Sequence, residues 1–173
     1  MELRFVLPEL RSLDETAAEL CACSIWSDER PMRGLAGLLD WRLAGRLSAM
    51  QRAGFVQGKR GELLLVPGKP HLPFEKVLVV GLGARAAFGE DDFRDAVGLL
   101  ARTLVGVRVR RAMVELPGRV GDAILPERAL RLTLDSVGTS TELDAWWIVE
   151  GATGQRRIEQ CSVDERRREP AHR

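Results

Sequence analysis

The segment from Glu75 to Val80, which ends in Val-Leu-Val-Val, constrains the fold of this chain more than any other. Apolar and β-branched residues follow one another here without the alternation typical of a half-exposed strand, so the segment predicts a strand buried on both faces. It leads directly into Gly81-Leu82-Gly83, where the backbone has to turn tightly. Such a strand needs cover above and below the sheet, which indicates an α/β domain.

The remaining segments read alternately as strands and helices. Strands are predicted at Glu2–Leu7, Glu19–Trp26, Glu62–Val66, Val107–Leu116 and Ala145–Val149, and helices at Gly34–Ala53, Glu90–Leu104, Pro126–Val137 and Thr153–Arg168. A short helix is expected near Ser12–Glu15, and a loop at Gly138–Thr141. This order predicts a three-layer α/β domain with a mixed, mostly parallel sheet flanked by helices. We assign residues 1–151 to this domain and residues 152–173 to a polar C-terminal helix and tail.

Composition excludes several classes of protein. The 173 residues contain 26 Lys and Arg against 25 Asp and Glu, so the chain lacks the basic excess typical of nucleic-acid-binding domains. No apolar run approaches the ~20 residues of a membrane-spanning helix. The N-terminus lacks the pattern of a signal peptide, so we expect a cytoplasmic protein. Cys21 and Cys23 lie in an apolar segment without zinc-site spacing, and we interpret them as small buried hydrophobic residues rather than metal ligands.

The Gly81–Ala86 segment fits G-x-G-x-x-A immediately after a strand, the position of a dinucleotide-binding fingerprint. The acidic residue expected about 20 residues later is missing, since Glu115 lies more than thirty residues further on, and we predict no cofactor. A simpler anion site remains open at Gly81 and Gly83, where backbone N–H groups at the end of a strand would lie beside Arg85. A tight turn made for backbone reasons alone is the other interpretation.

The sequence contains no recognisable catalytic set. Its two histidines, His71 and His172, lie between prolines in a loop and near the C-terminus, and no nucleophile-elbow, zinc-protease or P-loop motif occurs. We therefore predict no catalytic residue and no metal ligand. Asp40 is interpreted as a helix-face acid that pairs with Arg42 or Arg46.

Trp146 and Trp147 are consecutive in the last predicted strand, so their side chains point to opposite faces. One is expected in the core and the other outward, under a covering helix or at a subunit interface. Both are therefore candidate interface residues.

A long collinear stretch of this sequence resembles the N-terminal domain of the leucyl aminopeptidases, also called cytosol aminopeptidases. The resemblance rests on Leu39–Leu47, Ala53–Phe55, Gly58–Glu62, Leu63–Pro67, Lys76–Gly83, Phe93–Arg94 and Val114–Pro117. It spans about Ala17 to Pro117 and fades beyond Pro126.

The resemblance implies a macro-domain-like fold. It also implies that the two-metal peptidase site belongs to a separate C-terminal domain, whose ligands and N-T-D-x-E-G-R-L segment have no counterpart in this sequence. No functional residue carries over, so we expect a stand-alone, non-catalytic module that acts through self-association or a protein partner. The alternative is a macro-like domain that binds a phosphate, nucleotide or ADP-ribose-like ligand, and an active metallo-aminopeptidase is the least favoured hypothesis.

Overall fold

The computed structural model describes residues 2–137 and 143–168, and of residues 163–168 it describes the backbone alone. The strands are β1 (Glu2–Val6), β2 (Leu20–Ile25), β3 (Leu63–Pro67), β4 (Lys76–Gly81), β5 (Arg111–Glu115) and β6 (Ala145–Val149). The helices are α1 (Leu10–Glu15), α2 (Gly34–Arg42), α3 (Arg46–Arg52), α4 (Glu90–Gly106), α5 (Pro126–Val137) and α6 (Ala152–Arg168). The predicted loop at 138–141 and the chain after residue 168 lie outside the described residues.

The six strands form one sheet in the order β1-β6-β5-β2-β4-β3. All neighbouring strands are parallel except β3 and β4, which are antiparallel. In the register, Cys21 of β2 lies between Val77 of β4 and Met113 of β5. The predicted mixed, mostly parallel sheet is confirmed.

Helices cover the sheet on both faces, because alternate residues of the buried strands feed two separate apolar clusters. On β2, Leu20 and Ala22 belong to the cluster under α4 and α5, whereas Cys21 and Cys23 belong to the cluster under α1, α2 and α3. The helices contribute Phe93, Leu100 and Leu132 to the first cluster and Leu13, Leu39 and Leu47 to the second. The three-layer prediction is confirmed. No helix in the described part of the chain is long and apolar enough to cross a bilayer.

The single helix predicted at Gly34–Ala53 is wrong, because two helices occupy this segment. Ala44 and Gly45 have φ values of +54° and +78°, which end α2 and reverse the chain. The Asp40 carboxylate then accepts a hydrogen bond from the Ser48 N–H at 2.9 Å and another from the Ser48 hydroxyl. Asp40 therefore caps the first turn of α3. Arg42 pairs instead with Asp14, and among the described residues Asp40 forms an ion pair with neither Arg42 nor Arg46, so the predicted pairing is wrong.

The strand predicted at Val107–Leu116 is shorter than expected. Helix α4 continues to Gly106, and Arg108 adopts a left-handed φ of +57° before β5 begins at Arg111. The predicted strand began too early because Val107 and Val109 are apolar and β-branched. Val109 is buried in the cluster under α4 and α5, but it lies in the connection before β5 and belongs to no strand.

The C-terminal helix forms as predicted and packs against α5. Ile158, which is 6% exposed, is its buried anchor. A separate unit at 152–173, distinct from the domain at 1–151, stays a prediction.

Candidate functional site

A crevice of about 180 Å³ lies at the carboxyl edge of the sheet. Strand β2 has β5 on one side and β4 on the other, and the chain leaves β2 towards β4 before it crosses to β5. In open α/β sheets, ligands bind outside the carboxyl ends of the strands where the direction of chain progression changes in this way. The crevice is lined by Pro8 after β1, Gly34 of α2, Glu115 of β5, Arg119 and Val120 of the following loop, and Val149 to Gly151 at the end of β6.

Glu115 is the acid at the base of this crevice, and only 6% of the residue is exposed. Its Oε1 atom accepts a hydrogen bond from the Leu35 N–H at 2.9 Å, while Oε2 has no partner among the described residues. Burial raises the pKa of Glu115 to about 8; the Leu35 N–H opposes this shift and the nearby Glu150 carboxylate adds to it. Glu115 is therefore a buried carboxyl group whose surroundings favour its protonated form.

Arg119 and Glu150 form a nearly buried ion pair on the wall of the crevice, with 9% and 8% of their side chains exposed. Arg119 Nε donates to Glu150 Oε2 at 2.6 Å, and Nη2 donates to Oε1 at 3.0 Å. The remaining Nη1 donates to Asp122 and to the Ile124 carbonyl. Both charged groups are thus engaged within the chain, and the pair joins the loop after β5 to the end of β6.

Gly34 allows α2 to begin against this loop. A Cβ atom at Gly34 would lie 2.3 Å from Val120 Cγ2 and 2.7 Å from Glu115 Oε1, and its φ of +60° also disfavours other residues. The Val120 carbonyl accepts a hydrogen bond from the Trp26 indole N–H at 3.3 Å. Val120 is consequently held over the start of α2, where it narrows the crevice.

The predicted anion site at Gly81, Gly83 and Arg85 has its backbone donors in use. The Gly81 N–H donates to the Glu62 carbonyl at 2.8 Å, and the Gly83 N–H donates to the Gly58 carbonyl at 2.8 Å. The Arg85 N–H lies 3.2 Å from the Asp28 carboxylate, and its guanidinium donates to the Gly121 carbonyl. Anion binding by these residues stays a prediction.

The two glycines have separate backbone roles. A Cβ atom at Gly81 would lie 2.0 Å from the Lys59 carbonyl oxygen, so strand β4 can pass the preceding loop only with glycine there. Gly83 has open space but a φ of +81°, the left-handed conformation that favours glycine. The G-x-G pattern is explained by one close approach and one turn.

The two tryptophans point to opposite faces of β6, as the alternation requires. Trp146 is fully buried in the cluster under α4 and α5. Trp147 is half-buried, packs against the other cluster, and has the Arg4 guanidinium carbon 6.0 Å from its ring centroid. Neither indole is fully exposed in this chain, because each packs against one of the two apolar clusters. An interface at Trp146 and Trp147 stays a prediction.

The cysteine interpretation agrees with the structure. Cys21 and Cys23 are both buried on one face of β2, and burial raises the pKa of each thiol well above its ordinary value. Among the side chains described, those of residues 2–137 and 143–162, no group of three or more His, Cys, Asp or Glu could hold a metal ion. The expectation of no metal site stays a prediction.

Residues 23–133 match the N-terminal domain of the cytosol aminopeptidase family. The chain belongs to this family. A probable cytosol aminopeptidase from Thioalkalivibrio sulfidiphilus is 29% identical over 120 residues, which is 67% of this chain and 24% of that protein. The chain thus spans about a quarter of the length of this cytosol aminopeptidase.

Two solved structures show the same fold at low sequence identity. A tomato leucine aminopeptidase mutant superposes with a TM-score of 0.63 and 15% identity, over 94% of this chain and 35% of that one. A Trypanosoma brucei macrodomain in complex with ADP superposes with a TM-score of 0.68 and 17% identity, over 92% and 67%. The family and the macro-domain-like fold suggested by the resemblance are confirmed.

Sequence reasoning overlooked the crevice residues. The sequence pattern drew attention to Glu115 only as an acid too distant for a dinucleotide fingerprint, and it did not predict that Arg119 and Glu150 form a pair. An available signal was the acid that ends an apolar strand at Val114-Glu115, because a carboxylate in that position is carried to the edge of a parallel sheet.

Proposed function

We propose that this chain is a non-catalytic module of the cytosol aminopeptidase family that associates with a second copy of itself through the open edge of β3. The proposal rests on one observation about the edge strand β3. The residues whose backbone N–H and C=O groups point away from the sheet also have exposed apolar side chains. The family match supports a module without the peptidase domain, because it covers the N-terminal domain. The relatives' names support a cytosolic setting.

The backbone of β3 offers hydrogen-bonding groups at the sheet edge. The Gly81 N–H donates to the Glu62 carbonyl, and the Gly68 N–H donates to the Glu75 carbonyl. These two bonds show which residues of β3 form hydrogen bonds with the antiparallel strand β4. Residues at even positions, such as Leu64, face β4. The N–H and C=O groups of odd positions, Leu63 and Leu65, therefore face away from the sheet.

The side chains of the same two residues are apolar and exposed, at 38% for Leu63 and 43% for Leu65. They lie opposite Val80 and Leu78, which are buried on the face under α4. An uncovered strand with this combination is a template for pairing with another strand.

A second copy fits this edge because the edge is self-complementary. Antiparallel pairing about a two-fold axis at Leu65 places each Leu65 N–H opposite the other Leu65 carbonyl. The Leu63 N–H then meets the carbonyl of Pro67 in the second copy. Pro67 has no N–H to donate in return to the Leu63 carbonyl of the second copy, so each end of this pairing forms one hydrogen bond instead of two.

Native mass spectrometry and sedimentation of the purified chain test this proposal. We expect a dimer for the wild type, a monomer for Leu65→Lys, and a dimer for the control Leu125→Lys, which adds the same charge at a leucine of 50% exposure next to α5. A monomeric wild type at high concentration, or equal dimerisation of both variants, would exclude the β3 interface and favour a different protein partner.

Binding of a phosphate-containing small ligand is the second candidate function. The fold shared with the macrodomain solved with ADP supports it, as does a cavity of about 480 Å³ lined by Gly81 and by Arg60, Arg94 and Arg102. Arg60 and Arg94, however, already pair with acids of α4. Self-association is favoured because the Leu63 and Leu65 N–H groups have no partner among the described residues, whereas the N–H groups of Gly81 and Gly83 are in use.

A further inference from the structure

Helix α2 begins at the carboxyl edge of the sheet, next to the point where the chain changes direction between β2 and β5. The first N–H groups of a helix lack partners within the helix, and the helix dipole adds positive potential, so such a terminus attracts anions. The residue before α2, Arg33, makes no side-chain capping hydrogen bond. A partner for this terminus has to come from elsewhere.

The chain itself supplies that partner. Glu115, eighty residues further along the sequence, reaches the first turn of α2 and accepts the Leu35 N–H at 2.9 Å. The other carboxyl oxygen is buried and has no partner in the described part of the chain. A buried carboxyl group with one oxygen on a helix terminus and one oxygen unsatisfied is costly, because an unpaired polar atom loses its hydration without replacement.

The loop after β5 closes the same place sterically. Val120 lies so close to Gly34 that a Cβ atom there would approach its Cγ2 atom to 2.3 Å. Electrostatics also oppose an anion in this place, because the Glu150 and Glu29 carboxylates both lie near enough to disfavour ionisation of Glu115. The nearby cation Arg119 is already paired with Glu150. A phosphate entering the crevice would meet acids and no free cation among these residues.

We infer that Glu115 takes the place that the acidic group of a ligand would occupy at the start of α2. Its carboxyl group occupies the N-terminus of α2 and excludes phosphate and carboxylate ligands from the crevice. Glu115 is thereby the specificity-determining residue of this edge of the sheet: with it the crevice is closed to anions, and without it the free Leu35 N–H and the helix dipole form an anion site. This inference does not depend on self-association.

Amide NMR with inorganic phosphate, and then with ADP, as probes tests the inference. In Glu115→Ala we expect a saturable shift of the Leu35 amide on addition of phosphate, and in the wild type we expect none. Glu115→Gln is the matched control, since its side-chain oxygen still accepts the Leu35 N–H, and it should behave as the wild type does. Saturable phosphate binding at Leu35 in the wild type or in Glu115→Gln overturns the inference.

A second variant covers the case in which Glu115→Ala does not fold. Glu115→Ser is short enough to vacate the helix terminus and retains a hydroxyl group at the end of β5. A folded Ser or Ala variant whose Leu35 amide does not respond to phosphate or ADP also overturns the inference. Val120→Gly, which opens the cover but keeps Glu115 in place, is expected to remain unresponsive.

Discussion

Arg119 and Glu150 are joined by two hydrogen bonds, of 2.6 and 3.0 Å, although they are thirty-one residues apart and almost completely buried. Removing one partner of such a pair leaves the other charged and buried. We expect Glu150→Ala to lower the free energy of unfolding by about 3–5 kcal/mol, measured by urea denaturation.

The control for this prediction is Arg11→Met, which breaks an ion pair of similar length with Glu15 whose side chains are 78% and 63% exposed. An exposed pair of this kind contributes about 0–1 kcal/mol. Equal losses in the two variants would contradict a special role for the buried pair.

Glu115 makes stability depend on pH. Its pKa rises from 4.5 to about 8 in the folded chain, so between these values the folded state holds a proton that the unfolded state has released. The free energy of unfolding should therefore fall as pH rises from about 5 to 8, by on the order of 1 kcal/mol per pH unit from this group. Arg119, Glu150 and Glu29 are the charged groups that act on it.

Glu115→Gln cannot ionise, so this decline should be absent from its unfolding curves over the same pH range. A variant that loses stability with pH as steeply as the wild type would show that another group carries the dependence.

The two glycines after β4 should respond to substitution in different ways. Gly81→Val places atoms against the Lys59 carbonyl, 2.0 Å from the position of a Cβ, and Gly83→Val forces a β-branched residue to a φ of +81°. We expect each to cost more than about 1 kcal/mol in thermal or urea unfolding. Gly83→Asn should be milder, because asparagine tolerates the left-handed region.

Gly151→Ala is the control for these substitutions, since a Cβ atom there has nothing within 4 Å. Full stability of Gly83→Val would remove the turn as the reason for that glycine.

The last helix should act as a cover for α5. Truncation after Gly151 exposes the surface on which Ile158 packs, so we expect a lower melting temperature and aggregation. Ile158→Ala tests the same contact more gently and should cost about 2–5 kcal/mol. Glu159→Ala, on the exposed side of α6, should melt as the wild type does. An unchanged melt and a monodisperse truncated chain would contradict the cover.

The purified chain should not release leucine from a leucyl substrate in the presence of zinc or manganese. The reason is that the match to the family covers its N-terminal domain, residues 23–133. A full-length cytosol aminopeptidase is the positive control in the same assay. Metal-dependent turnover that co-purifies with the chain and is lost on mutation of one of its residues would contradict this prediction.

Hydrophobic patterning was sufficient for the layers of the fold, because burial is continuous along β4, as in a strand covered on both faces, and repeats every third or fourth residue in α4. It was insufficient at Ala44 and Gly45, where leucines continue on both sides of the break and conceal it. The crevice could not be predicted for a related reason. Glu115 and Leu35 come into contact only because of the order of the strands, and local residue spacing does not determine the order of strands in a sheet.

The position of β6 has a consequence for how the chain folds. Strand β1 has β6 as its neighbour in the sheet, and β6 joins β1 to β5. Strand β1 therefore has to wait for residues 145–149 before it can pair, and closing so long a loop is entropically slow. We expect β2, β4 and β5 to assemble first, with β1 and β6 docking together in the last step of folding.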